Sequence, residues 1–397
     1  MSECGACAGL LFAPFFRGRE WSTTGRYLDA PEKLGPSIAV ELEYCQSCGL
    51  IRQAAGKIVQ LDYVHIERGT AKQLPEYSAR IIASLSEFGV NSDDLIVEVG
   101  ANDGTFLKEL RGSGFRKLLG VEPSKQLAEI SSTAGFDIVN GYFDRNLAAG
   151  ISRSHGRARA IICRHTLEHV PNIRELVDGI HEMLAPGGMC FIEVPDADWV
   201  VKQLFAHEIW DEHITYFRAG SLAKLIRQSG LSPIRVERAR FRDTRNLLSW
   251  SVRDPAGLSF SRSLAEDEAS LTELAGFQKR WDDFSRNLRS LVAAAPKPVI
   301  GIGASHIQLN FLNFTGLDDA VDILIDDDPW KAGRFAPLAK PVPIRTTSDI
   351  LSSARHGTLL KTAFPYPDWE KRVSDTLQAF DIDTIDPYGI LSSSVKY

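Results

Sequence analysis

The 397-residue sequence lacks an apolar run long enough to cross a bilayer, so an integral membrane protein built on helices is not expected. It lacks an excess of basic charge as well: 45 Lys and Arg stand against 51 Asp and Glu, a net charge of −6. That balance argues against a dedicated nucleic-acid surface and against a polybasic membrane surface. The stretch MSECGACAGLLFAPFF has a short apolar piece but no basic leader, and cysteines sit inside it. A secretory signal is therefore not expected, and a cytoplasmic location is the default. Cysteine is scarce, with six residues in all. What is plentiful is ordinary globular material: 44% hydrophobic and 24% charged residues supply more than one core, so two or three domains are expected at this length.

Four of the six cysteines form two CxxC pairs, Cys4/Cys7 and Cys45/Cys48. In a reducing compartment such pairs read as metal ligands before disulfides. A CxxC turn points both sulfurs inward, and two such turns close a tetrahedral Zn²⁺ site. A site of this kind is structural. The competing reading is a thiol or redox role, although redox CxxC motifs usually stand singly at a helix N-terminus. Cys163 and Cys190 lie in apolar, strand-like runs and read as core residues.

The stretch DLIVEVGANDGTF, residues 94–106, reads as a buried strand, a glycine turn and a helix start. Gly100 and Gly104 permit close approach of backbone to a ligand. Glu98 and Asp103 place two carboxylates beside the turn, which suits an amine-bearing ligand better than a pyrophosphate. KLLGVEPS follows as a second strand ending in Glu122, about 20 residues past the turn, where an acid takes the hydroxyls of a ribose. FDIVNGYFD, ARAIICRHTLEHVPN and MCFIEVPD supply three further strands. Repeated strand–helix units argue for a doubly wound parallel sheet, with ligands at the carboxyl ends of its strands. Asp211-Glu212-His213 concentrates titratable groups beside Trp210, Tyr216 and Phe217. Histidine is the natural general base near neutral pH, and a neighbouring carboxylate orients it. The plain alternative is a solvated helix start capped by the aspartate.

Residues 256–295 read as one or two amphipathic helices between domains. Beyond them, VIGIGASHIQLNFLNF restarts the strand–turn–helix theme, and VDILIDDDP, KPVPIRT and GTLLKTAFPYPDW extend a second, smaller nucleotide-binding-like half, with a helix through Phe380.

Four features in this order resemble the S-adenosylmethionine-dependent sugar C-methyltransferases: the two CxxC pairs, VEVGANDGTFL with GVEPS, DEHITYF, and GIGAS with LIDDDPWKAGRFAP. The resemblance covers nearly the whole chain. It implies an α/β fold with a central class I methyltransferase (Rossmann-like) domain, a small N-terminal zinc-binding domain and a C-terminal Rossmann-like domain. The boundaries expected are 1–60 for the zinc domain, 61–255 for the cofactor domain with a substrate lid, 256–295 for a helical linker and 296–397 for the last domain. It implies S-adenosylmethionine and a structural Zn²⁺ held by Cys4, Cys7, Cys45 and Cys48. Glu98, Gly100, Asn102 and Asp103 would line the methionine part, Glu122 the ribose, and Tyr142 and Phe143 the adenine. His165, at the end of the fourth strand, joins the cofactor-lining set. His213, paired with Glu212, would abstract the proton alpha to a keto group. His169 would lie near the substrate, and Tyr63 on a lid. The partner implied is a small molecule, a nucleotide-linked keto-deoxysugar, with the enzyme a monomer or homodimer.

The sequence departs from the family in three places, all toward the acceptor. Trp210 stands where the family commonly has a tyrosine, so a phenol donor is absent. IERGTAKQLPEYS replaces a serine-rich lid, and DTRNLLSWSV replaces a glycine-rich segment. For the enolate stabiliser, His169, Tyr216 and Arg245 are the candidates. O- or N-methylation of another small molecule is the alternative within transferases. An NAD-dependent oxidoreductase using the GIGAS turn, and a non-catalytic zinc-bearing binding protein, are alternatives of other classes. The GIGAS turn lacks the third glycine of a dinucleotide fingerprint.

Overall fold

In the computed structural model, which describes residues 3–22, 27–31, 37–54, 74–241, 244–254, 268–353, 356–362, 381–387 and 389, the apolar run before the first glycine turn is a central strand. This strand, β1 (Leu95–Val99), is joined by β2 (Lys117–Glu122), β3 (Asp137–Asn140), β4 (Ala158–Arg164), β5 (Leu184–Pro195), β6 (Leu231–Phe241) and β7 (Thr244–Arg253). The spatial order is β6-β7-β5-β4-β1-β2-β3. Strands β1 to β5 run parallel, and β7 pairs antiparallel with β5 in the register Pro195↔Asn246 through Met189↔Val252. The order reverses between β1 and β4, which makes their carboxyl ends the switch point where ligands bind in open α/β sheets. This is the class I methyltransferase arrangement, as expected from the sequence.

Two cores cover the sheet faces. One gathers Val97, Val99, Ile161, Cys163, Cys190 and Ile192, the other Ile96, Ala160, Ile162, Phe191 and Trp250. Alternate residues of a strand serve opposite faces, so strands buried on both sides are apolar throughout. Cys163 and Cys190 are core residues, as read from the sequence. Helix α1 (Ile173–Met183) shows the matching helical period: Ile173, Leu176, Val177, Ile180 and Met183 are all buried. Asn172 caps it by accepting from the Glu175 N–H. The helix ends at Met183, and the chain enters β5 through an irregular pairing between Leu184 and Met189.

By contact the chain divides into two units. One comprises Met1–Phe12, Cys45–Asp198 and Ile214–Glu268; the other comprises Ala13–Tyr44, Trp199–His213 and Ala269–Tyr397. The second unit has its own sheet, built from β8 (Val299–Ile302), β9 (Ile323–Ile325), β10 (Phe335–Pro337), β11 (Pro341–Arg345), β12 (His356–Leu360) and β13 (Asp381–Ile385). Its order is β10-β11-β9-β8-β12-β13, parallel except for the β10–β11 hairpin. A long helix, α2 (Leu271–Ala294), opens with a capping box between Ser270 and Glu273. Its buried stripe Leu274, Phe277, Trp281, Phe284 and Leu288 packs within this unit, with Phe15 stacked on Phe277 at 4.6 Å. The segment with Tyr63, the start of the expected linker and the expected helix through Phe380 lie outside the described residues. No helix among the described residues is long and apolar enough to cross a membrane.

Candidate functional site

The first glycine turn sits at the switch point and is shaped by close contacts. Gly100 has φ +77°, and a Cβ there would lie 2.0 Å from Thr166 Oγ1, so only glycine fits between β1 and the loop after β4. The turn's amides already have acceptors. Gly100 and Ala101 donate to Val121 O at 2.8 and 3.1 Å, Asn102 to Glu122 Oε2 at 2.9 Å, and Asp103 to Asn102 Oδ1 at 2.7 Å. Gly104 donates to Ala101 O at 2.9 Å, and Thr105 to Asp103 Oδ1 at 3.1 Å. A phosphate cradle needs amides aimed at the ligand, and these are aimed inward.

What the turn offers instead is negative charge. Glu98 is 4% exposed, and its Oε2 has no hydrogen-bond partner among the described residues. Burial pushes its carboxyl up to about 8; the Arg164 charge opposes this, and Asp103 and Glu122 add to it. A cation arriving here would ionise it. Glu122 is buried at the end of β2, and its oxygens accept from Asn102 N–H at 2.9 Å and Ser124 N–H at 2.8 Å. Burial raises its pKa against those two bonds. Tyr142 is exposed beyond β3, whereas Phe143 is packed into the core. The structure thus brings Glu98, Gly100, Asn102, Asp103 and Glu122 together at one end of the sheet.

A second group completes that end. His165 follows β4 with φ +46°, an unusual conformation for a residue with a side chain. Its Nε2 lies 3.1 Å from Glu193 Oε1 on β5, and its Nδ1 3.4 Å from Glu168 Oε1. Glu193 also accepts from Arg164 Nε at 2.9 Å and from Asn246 Nδ2 on β7 at 2.6 Å. Burial alone would lower the His165 pKa, but Glu193 and Glu168 together raise it to about 10, so it is a cation at neutral pH. Glu168 is 1% exposed, and a carboxylate oxygen of it lies within 4.8 Å of a His169 ring nitrogen. Sequence reasoning picked His165 and His169 but missed Glu193, Glu168, Arg164 and Asn246. The available signal was a lone acid inside the apolar run CFIEVP.

The chain after the Glu-His pair is fixed on this unit. Ile214 donates its N–H to Glu168 O at 2.8 Å and accepts at its carbonyl from Gln53 N–H at 2.8 Å. Thr215–Tyr216 then pairs antiparallel with Ile51–Gln53, and Tyr216 is buried there. Arg245, near the start of β7, is exposed. In the second unit His213 is buried, its N–H donating to Trp210 O at 3.2 Å, and its ring lies 5.2 Å from the Trp210 ring. Burial and the Asp211 charge raise Glu212 to about 7.

The four cysteines of the CxxC pairs converge. Cys4 Sγ lies 3.7 Å from Cys48 Sγ, and Cys7 Sγ 3.5 Å from Cys45 Sγ. All four sulfurs lie within 4.8 Å of one another. Zn–S bonds of about 2.3 Å in a tetrahedron require sulfurs about 3.8 Å apart, so the donor set fits zinc. The first knuckle docks on α1. Arg174 donates to Gly5 O at 2.8 Å, and a Cβ on Gly5 would lie 2.7 Å from Ile173.

The sheet order is that of the class I methyltransferase fold, and the turn at its switch point offers carboxylates rather than free amides. Comparison with known proteins agrees: residues 70–236 match a family described as a methyltransferase domain, and residues 261–361 one described as a C-methyltransferase C-terminal domain. Two separate segments of the chain thus match methyltransferase family models, the second of them a C-methyltransferase one. It is similar to the C-methyltransferase NovU of Streptomyces niveus, with 29% identity over 203 residues, 50% of this chain and 48% of that protein. The chain thus spans about half the length of the curated relative it matches. Among solved structures it is similar to magnesium protoporphyrin IX methyltransferase from Synechocystis with bound SAM (12% identity, TM-score 0.36, 49% of this chain and 86% of that one). It is also similar to an S-adenosylmethionine-dependent methyltransferase from Clostridium acetobutylicum (10% identity, TM-score 0.36, 45% and 91%).

Proposed function

We propose that this protein transfers the methyl group of S-adenosylmethionine to a carbon atom of a nucleotide-linked keto-deoxysugar. The observation that carries the cofactor is buried Glu98, an acid whose Oε2 has no hydrogen bond among the described residues, beside a turn whose amides are engaged. That environment suits the ammonium of a methionine moiety and rejects a pyrophosphate. Glu122 stands one strand over, where a ribose binds. When bound, the cofactor supplies an electrophilic sulfonium methyl, so the protein's part is alignment and activation of the acceptor.

His213 acts as general base. It takes the proton from the carbon next to the keto group, and the C–H electrons delocalise onto the carbonyl oxygen as an enolate. Glu98 would hold the cofactor's ammonium and Glu122 its ribose, and the bound sulfonium would supply the methyl that the enolate carbon accepts. Glu212 supports the imidazolium formed at His213. His169 serves as a hydrogen-bond donor to the enolate oxygen. Tyr63 is the further residue assigned to the acceptor. The cysteine cluster holds a structural Zn²⁺ and takes no part in the chemistry.

The test is incubation with methyl-labelled S-adenosylmethionine and a nucleotide-linked 4-keto-deoxysugar. The product should carry the label on carbon by NMR. A label on oxygen or nitrogen would move the reading to O- or N-methylation, and failure to bind S-adenosylhomocysteine would remove it.

A further inference from the structure

The second glycine turn, Gly301 to Ser305, looks in sequence like another ligand cradle, but its groups are engaged within its own unit. Gly303 N–H donates to Ile325 O at 2.8 Å, Ala304 N–H to Asp326 Oδ2 at 3.0 Å, and Ser305 N–H to Gln308 Oε1 at 2.7 Å. The Tyr27 hydroxyl donates to Ala304 O. A Cβ on Gly303 would lie 2.9 Å from Gln308 Cδ, so the space over the turn is filled. Asp326 directly follows β9, where a dinucleotide fold keeps its ribose acid, and it is paired with Lys331 at 2.8 Å.

What the turn does is start helix α3 (His306–Thr315). Its first residue, His306, stacks on Trp210 with ring centroids 4.0 Å apart and planes 10° apart. One turn further on, buried Asn310 donates Nδ2 to Ile209 O at 2.9 Å and to His207 O at 3.4 Å. Residues four apart share a helix face, so one face of α3 grips three points of the segment 207–210. Phe311 packs edge-on against the His207 ring at 5.8 Å. The Trp210 ring in turn meets the His213 ring at 5.2 Å, and the Trp210 carbonyl accepts the His213 N–H at 3.2 Å.

We propose that His306 is a positioning residue for the base: stacked on Trp210, it fixes the indole against which the His213 imidazole rests. The C-terminal Rossmann-like half then serves the reaction as the mount of the Glu212-His213 loop, and its glycine turn binds no dinucleotide. This rests on the assignment of His213 as base. It also gives Trp210, which stands in the place of a family tyrosine, a role that needs no phenol.

The test uses the full-length protein, deuterated and labelled at its nine histidines with ¹³C. The His213 ring resonance is assigned by its loss in His213→Asn. His306→Ala should move and broaden that resonance, and His306→Phe, which keeps a flat ring on the indole, should restore it. With S-adenosylmethionine and a nucleotide-linked 4-keto-deoxysugar, kcat should fall roughly ten- to hundredfold in His306→Ala, the scale of a small misplacement of a catalytic group. KM for S-adenosylmethionine should hold, and His306→Phe should recover most of kcat. NAD should leave the melting temperature unchanged. An unmoved His213 resonance in His306→Ala, a His306→Phe variant as impaired as His306→Ala, or stabilisation by NAD would overturn the proposal. If the wild type fails to methylate the keto-sugar, the acceptor assignment is overturned, and the resonance arm, which needs no acceptor, decides the role of His306.

Discussion

Glu193 and His165 face each other across the ends of β5 and β4, with Glu193 Oε1 3.1 Å from His165 Nε2. Glu193 has no exposed side-chain surface, and Asn246 and Arg164 hold its oxygens in place. Glu168 flanks the other ring nitrogen. The result is an imidazolium fixed at the switch point, with its charge balanced by two carboxylates.

This pair has a pH signature. The folded-state pKa of His165, about 10, lies above the ordinary 6.5. Its contribution to stability is therefore complete below pH 6.5 and is lost as pH rises toward 10. Thermal midpoints measured from pH 6 to 10 should fall more steeply for the wild type than for His165→Asn. Glu193→Gln should lower the His165 pKa, read by histidine NMR.

Glu98 predicts proton-linked cofactor binding. Burial holds its carboxyl near 8, so at pH 6 to 7 it is mostly neutral, and a bound ammonium requires it ionised. Affinity for S-adenosylhomocysteine should rise with pH up to about 8 and then level, by at most about tenfold per unit. Calorimetry in two buffers of different ionisation enthalpy should show a released proton. Glu98→Gln should bind more weakly and lose the pH dependence.

Gly100→Ala tests the close approach at the turn. The new methyl would sit 2.0 Å from Thr166 Oγ1 in a left-handed conformation at φ +77°. Strain at a non-glycine residue there is on the order of 1–3 kcal/mol before the clash is counted. Loss of cofactor affinity should accompany a lowered melting temperature. Gly114→Ala, whose Cβ would meet nothing within 4 Å although its φ is +96°, controls for the strain alone.

The cysteine cluster predicts one zinc per chain by elemental analysis. Because the Cys4/Cys7 knuckle packs on α1 through Ile173 and Arg174, stripping the metal should lower the melting temperature of the methyltransferase unit itself. Cys45→Ser should do the same without a chelator. Binding free energy of a structural zinc is folding free energy.

Much of this was legible because the relevant order is local. The apolar run into Gly100, the Glu122 offset and the period of α1 are each set within a few turns of chain, and the strand–helix alternation dictates a parallel sheet. The Glu193–His165–Asn246 network was not legible. Asn246 reaches β4 only through the antiparallel register Pro195↔Asn246 on the far side of β5, and no sequence spacing encodes that pairing. His306 was hidden for a related reason. GIGASH reads as a ligand turn until its amides are seen to bond to Ile325, Asp326 and Gln308. The cysteine pairs were the reverse case, since two matched CxxC turns announce a cluster whatever the length of chain between them.

The central claim is that His213 is the base of a carbon methylation. The most direct measurement follows hydrogen–deuterium exchange at the carbon next to the keto group of a nucleotide-linked 4-keto-deoxysugar, in D₂O with S-adenosylhomocysteine bound. The wild type should catalyse exchange. His213→Asn should slow it by roughly 10²–10⁴-fold, the usual worth of a general base, while binding S-adenosylhomocysteine as tightly as the wild type. Exchange at the wild-type rate in His213→Asn would contradict the account.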